Sequence, residues 1–155
     1  MTDHDGAPRP STQDPPWLTL ARAELHKVTR EIRGEAVNEI IAGYYETMGV
    51  PRHLVDDDHQ PWCAVFASAI LKRCNIAPPR RFRSARAFML WGKPCEQQPG
   101  AICVLWRDDP KGPHGHVGFF LYEKDGRVFL LGGNQGNQVS VHGFPVERVL
   151  GYRRP

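Results

Sequence analysis

The sequence predicts an α+β fold in which helices come first and pack on an antiparallel sheet. Two patterns carry the prediction. Up to about residue 91, apolar residues recur at helical spacing. After Pro99-Gly100 they gather into short runs separated by turn residues, as strands of a meander do. A block of helices followed by a block of strands fits α+β better than an alternating α/β sheet. At 155 residues the chain is long enough for one domain with a real core.

Residues 1–16 carry Pro8, Pro10, Pro15 and Pro16 among polar residues and are expected to form a disordered tail, leaving 17–155 as the single domain. Leu18, Ala21, Leu25 and Val28 mark a first helix. Val37, Ile40, Ile41, Tyr44, Tyr45 and Met48 form the stripe of a second, closed by Gly49 and Pro51. An acidic loop, Asp56-Asp57-Asp58, leads to a helix from Cys63 to about Lys72, with Pro61 suited to its first turn. Pro78-Pro79 ends that segment, and Ser84 caps a shorter helix holding Ala87, Phe88, Leu90 and Trp91. Strands are expected over 101–106, 116–123, 127–131, 139–142 and 150–153. Lys124-Asp125-Gly126 makes a hairpin turn. Tyr44, Tyr45 and Trp91 read as core.

Composition narrows the function classes. The net charge of +3 is mild, and the one dense basic cluster, Arg80, Arg81, Arg83 and Arg86, comes without a nucleic-acid recognition motif. No nucleic-acid partner is therefore expected; the cluster reads as a solvated loop, with attraction to an anionic polymer as its functional alternative. No apolar run approaches the ~20 residues of a membrane span, and residues 1–16 have no secretory h-region. The expectation is synthesis in the cytoplasm, no membrane insertion, and any action on the cell wall only after export or lysis. Cys63, Cys74, Cys95 and Cys103 lack paired spacing, so a zinc ribbon or redox motif is not expected. Cys74 and Cys103 read as small buried hydrophobes. The triple Asp lacks the alternating ligands and Gly turn of a calcium loop.

Cys63 is the cysteine with chemical promise. It opens a helix, where unpaired N–H groups and the helix dipole favour thiolate. His116 opens a strand after the helical part, and an imidazole beside a thiol makes a nucleophile–base pair suited to attack on an amide. Across the predicted hairpin Asn134 comes level with His116, where it can accept the ring N–H and fix the tautomer. Gln135, on the other face of an extended strand, and Asn137, a turn residue, are its rivals. His114, two residues before His116, is a rival base or a cavity wall, whereas His59 reads as a surface-loop residue.

Several motifs in order carry a resemblance: Trp17-Leu18, Tyr44-Tyr45, Asp58-x-x-Pro61-Trp62-Cys63-Ala64, Ser84-Ala85-Arg86, Trp91-Gly92, Gly115-His116-Val117-Gly118 and Leu131-Gly132-Gly133-Asn134-Gln135. Together they resemble the papain-like bacterial and phage cell-wall cysteine hydrolases close to the CHAP and NlpC groups, from about residue 17 to 155. The resemblance implies a papain-like fold with the nucleophile at a helix N-terminus. It implies Cys63 as nucleophile, His116 as general base and later acid, and Asn134 as the polar third residue. The oxyanion hole would combine the Cys63 backbone N–H with a donor such as Gln60. Asp58 matches the family's Asp and caps the helix or braces its loop. Trp62, Asp58, His114 and Gln135 are the expected cleft residues. Where the family commonly has Gly-Asp-Ile-Val, this chain has Gly100-Ala101-Ile102-Cys103, which removes a turn carboxylate outside the catalytic set.

The function so implied is cleavage of an amide in the peptide part of peptidoglycan by a monomeric enzyme with no metal or organic cofactor. The partners are peptidoglycan stem peptides. As a phage lysis enzyme the protein would be released through membrane holes; as an antibacterial effector delivered by a secretion machine it would come with a cognate immunity protein. The alternative from another class is a catalytically silent wall-binding or phage structural module of the same fold.

Overall fold

A computed structural model describes residues 10–25, 27, 38–55 and 61–155. The order is helices α1 (Pro16–Glu24), α2 (Glu39–Thr47) and α3 (Cys63–Arg73), then strands β1 (Lys93–Pro94), β2 (Ile102–Trp106), β3 (Gly115–Lys124), β4 (Arg127–Gly132), β5 (Ser140–Pro145) and β6 (Val149–Arg154). The strands form one sheet in the order β1-β6-β2-β3-β4-β5, with every neighbouring pair antiparallel. The fold is thus α+β, helices first. The two-residue strand β1 was not legible in the sequence, because Lys93-Pro94 is too short and too polar to carry a pattern.

Alternation along β3 divides the interior. Val117, Phe119 and Leu121 turn toward the helices and pack with Phe66 and Ile70 of α3, while Phe120 joins Cys103, Leu105 and Leu130 in a smaller cluster on the opposite face. Helix α3 lies between α2 and strands β3 and β4, so all of residues 63–71 are buried. A helix apolar on every side belongs in such a position. Glu24 of α1, 1% exposed, ties the three helices together. Tyr44 of α2 donates its hydroxyl to the carboxylate at 2.7 Å, and Arg73 of α3 lies 3.6 Å away. Burial, reinforced by that carboxylate, pushes the Tyr44 hydroxyl above its ordinary pKa.

Several expectations need correction. Residues 10–16 are not a disordered tail. Asp14 pairs with Arg22 at 2.9 Å, α1 starts at Pro16, and Trp17 donates its indole N–H to the Gly100 carbonyl at 2.7 Å. Residues 1–9 lie outside the described residues, as do Val28, Val37 and the acidic loop with Asp58, His59 and Gln60. Pro61 precedes the N-cap residue Trp62 instead of sitting in the first turn of α3. The segment after Ser84 is a 3-10 helix, Ala85–Leu90, and Leu90 is 93% exposed. Cys74 is half-buried, whereas Cys103 is buried as expected; all four thiols are free. Tyr44 and Tyr45 are core, and Trp91 packs half-buried against it. Arg86 is not spare surface charge: its guanidinium donates to the carbonyls of Asp109, Pro110 and His114 and pins the loop before β3.

Candidate active site

Pairing of β3 with β4 begins at Phe119↔Leu131, and β4 ends at Gly132. The opening stretch of β3 is therefore left without a β4 neighbour. Helix α3 directs its N-terminus into the gap. Gly133 makes this approach possible, because a Cβ there would stand 2.6 Å from Phe66 Cβ and 2.7 Å from the Trp62 ring. A cavity of about 220 Å³ results, lined by Cys63, His116, Asn134 and Gln135 and walled by His142 and Phe144.

Cys63 is the first residue of α3 and is buried. Burial pushes its thiol up; the backbone N–H groups of Val117 and Ala64 and the Arg107 charge pull it down without prevailing. The helix N-terminus alone suggested thiolate. In the folded protein desolvation outweighs the helix, and the resting group is the thiol.

His116 lies half-buried with its ring against Phe144, centroids 5.0 Å apart. Its Nε2 is 2.9 Å from the Gln135 side-chain oxygen. The orientation of that amide is settled by its other end, where Gln135 Nε2 donates to the carbonyls of Leu130 at 3.1 Å and Ser140 at 2.8 Å. The oxygen can only accept, so His116 must carry its proton on Nε2 and leave Nδ1 with a lone pair. Burial brings the His116 pKa down to about 4; the Gln135 bond opposes this, and Arg148 and Arg107 add to it. At neutral pH the pair is a neutral thiol and a neutral imidazole in one cavity. Such an imidazole can accept the thiol proton as sulfur attacks an electrophile.

The orienting partner of His116 is thus Gln135 and not Asn134. The expectation assumed an extended strand through residue 135. Asn134 instead adopts φ 56°, in the left-handed region, and the turn swings Gln135 back toward β3. Gly132 leaves room for it, since a Cβ there would stand 2.5 Å from the Gln135 oxygen. Asn134 still lines the cavity, and Asn137, at φ 58°, serves the turn.

Two expected cleft residues lie elsewhere. Trp62 is core at 1% exposure, stacked on Tyr44 with centroids 6.2 Å apart. His114 is exposed and pairs with Asp108 at 3.1 Å, outside the cavity lining. Asp58 and Gln60 fall outside the described residues. The sequence reading missed Arg107, Arg148, His142 and Phe144, which come from three separate segments and share no motif. No protein-family profile, curated protein or solved structure matches the chain.

Proposed function

We propose that this protein is a cysteine amidohydrolase or peptidase of the papain-like kind, acting on an amide bond in the peptide part of bacterial peptidoglycan. The observation that carries the chemistry is the Gln135 amide, which fixes the His116 tautomer while Cys63 opens a helix into the same cavity. The ordered motifs that resemble the CHAP and NlpC groups supply the substrate class.

In this reading the Cys63 thiol gives its proton to His116 Nδ1 as sulfur adds to the amide carbonyl. The imidazolium remains hydrogen-bonded to Gln135 through Nε2–H. Collapse of the tetrahedral adduct breaks the C–N bond, and His116 returns the proton to the departing amine. Water, deprotonated by His116, then adds to the thioester; the C–S bond breaks, the carboxylic acid is released, and His116 returns the proton to the Cys63 sulfur. The Cys63 backbone N–H is the first candidate to stabilise the oxyanion. The protein works as a monomer on the wall after export or lysis, and in the effector setting a small immunity protein would plug the cavity.

The test is incubation of purified peptidoglycan with wild-type protein and Cys63→Ala, with the released muropeptides identified by mass spectrometry. New products with wild type and none with the variant are expected; equal product patterns would overturn the proposal. A second reading, a silent wall-binding or phage structural module, draws on the burial that holds the Cys63 thiol protonated. It predicts that Cys63→Ala binds wall material as wild type does while neither hydrolyses it.

A further inference from the structure

The cavity also holds two guanidinium groups that the proton transfer does not need. Arg107 follows β2 and Arg148 precedes β6, and these strands are neighbours through Leu105↔Val149. Both side chains line the cavity beside Cys63 and His116. Arg148 is held in place: its Nε donates to the Trp106 carbonyl at 3.0 Å, and its guanidinium lies over the Phe144 ring at 5.5 Å. Its terminal nitrogens have no acceptor among the described residues. Among the described residues neither arginine forms an ion pair, and no Asp or Glu lines the cavity.

Their charge acts in opposed senses on the proposed chemistry. Proton transfer from Cys63 to His116 creates a thiolate, which a nearby cation favours, and an imidazolium, which it opposes. Arg107 acts on both groups, favouring the thiolate and opposing the imidazolium, whereas Arg148 opposes the imidazolium. Two cations converging on one small cavity, with no carboxylate among its described lining residues, suit an anionic ligand. The planar guanidinium fork suits a carboxylate. At about 220 Å³ the cavity is smaller than the ~300–1,000 Å³ of drug-sized sites, so an anion held there lies close to the bond attacked.

We infer that Arg107 and Arg148 form a carboxylate-binding subsite beside Cys63, selecting peptides with a free carboxylate on the residue at or next to the scissile amide. As a statement about substrates this rests on the proposed hydrolase activity; as a statement about the cavity it does not.

The first experiment therefore needs no turnover. Iodoacetate and iodoacetamide are nearly equal in size and differ by a carboxylate, and peptide-level mass spectrometry follows their reaction at Cys63. The iodoacetate-to-iodoacetamide rate ratio is compared with that of glutathione. A ratio on the order of tenfold above glutathione is expected for wild type, falling to the glutathione value in Arg107→Gln with Arg148→Gln. Arg107→Gln alone, at an exposed position, keeps the test open if the double variant misfolds, and is expected to lose part of the preference. A wild-type ratio at or below that of glutathione, or one unchanged in the variants, would overturn the subsite.

The second experiment uses synthetic stem peptides with each carboxylate, side-chain or C-terminal, free or converted to the primary amide. Amidating the recognised group is expected to raise KM about tenfold in wild type and little in the double variant. Equal KM values for free and amidated peptides would overturn the subsite while the hydrolase assignment stands. No hydrolysis of any peptide would count against the hydrolase assignment, and the alkylation ratio alone would then decide the subsite.

Discussion

Replacing Gln135 by Ala tests the site at its most specific point. The side chain makes three bonds at once, accepting from His116 Nε2 and donating to the carbonyls of Leu130 and Ser140. Truncation leaves all three partners unmatched. A buried polar group without a partner costs about 1–3 kcal/mol, and water from the adjoining cavity can satisfy part of the loss, so about 2–4 kcal/mol in total is expected. For a domain of this length each kcal/mol moves the midpoint by roughly 2–4 °C, so Tm should fall by roughly 5–15 °C. Function should suffer more than stability. With no acceptor at Nε2 the imidazole redistributes its proton between tautomers and rotates. Gln135 is neutral, so its loss should cost less than the ~10⁴-fold attached to an ionised carboxylate in a serine-protease triad; on the order of 10²-fold in the Cys63 alkylation rate is expected.

Three measurements check this: thermal unfolding, peptide-level iodoacetamide labelling of Cys63, and the ¹⁵N shifts of the His116 ring. Labelling must be read at Cys63 itself, because Cys74 and Cys95 are also free and half-buried. Asn134→Gly is the comparator, since it removes the neighbouring amide while accommodating φ 56°. It should cost less than tenfold in rate and leave His116 as the Nε2–H tautomer. An Asn134→Gly loss as large as that of Gln135→Ala, or an unchanged His116 tautomer in Gln135→Ala, would refute the reasoning.

Four further outcomes are expected. His116 must be neutral to act as base, so the Cys63 alkylation rate should hold as pH falls below the ordinary histidine range and drop near pH 4, as a pH–rate profile would reveal. The same shift is a stability statement: between pH 6.5 and 4 the unfolded state binds a proton that the folded state refuses. Stability should therefore fall by about 3 kcal/mol as pH drops through that window, measurable by urea denaturation and absent in His116→Gln. Gly133→Ala drives a methyl group into Phe66 and the Trp62 ring and should destabilise the fold by about 1–3 kcal/mol in thermal unfolding. Trp62→Ala should lose about 3–5 kcal/mol in the same assay, because Trp62 is core; a cleft wall would instead leave Tm near wild type.

How legible the molecule was from its sequence follows from where its information is local. Helix α3 and strands β2, β3, β4 and β6 were readable because apolar periodicity and punctuation by Pro and Gly are short-range signals. Tyr44 and Tyr45 were placed correctly in the core for the same reason. Cys63 and His116 stood out because each combines a reactive side chain with an element boundary. Asn134 was chosen over Gln135 on the assumption of an extended strand, and the choice turns on one backbone dihedral. A left-handed residue after two glycines exchanges which of two adjacent amides faces β3. Trp62 was misplaced because being next to a thiol in sequence says nothing about which way the N-cap residue of α3 points. Arg107 and Arg148 were invisible because only the β2–β6 pairing, across forty residues of chain, brings them together.

The end of β4 is the feature that reconciles these observations. A strand continuing past Gly132 would pair with the opening of β3, turn Gln135 to the far face and close the gap through which α3 presents Cys63. Ending it with two glycines and a left-handed asparagine leaves the Val117 N–H facing the thiol and admits the helix terminus. It also spends two backbone carbonyls, those of Leu130 and Ser140, on fixing one glutamine. Those carbonyls hold the Gln135 amide in one orientation, and that orientation determines which nitrogen of His116 is free. The protonation state of the cavity is therefore set by backbone geometry at a strand end, without any carboxylate among its described lining residues. This also accounts for the conflict at Cys63: the helix terminus and the Val117 amide can stabilise a thiolate, but in the resting cavity burial keeps the proton on sulfur until an electrophile arrives.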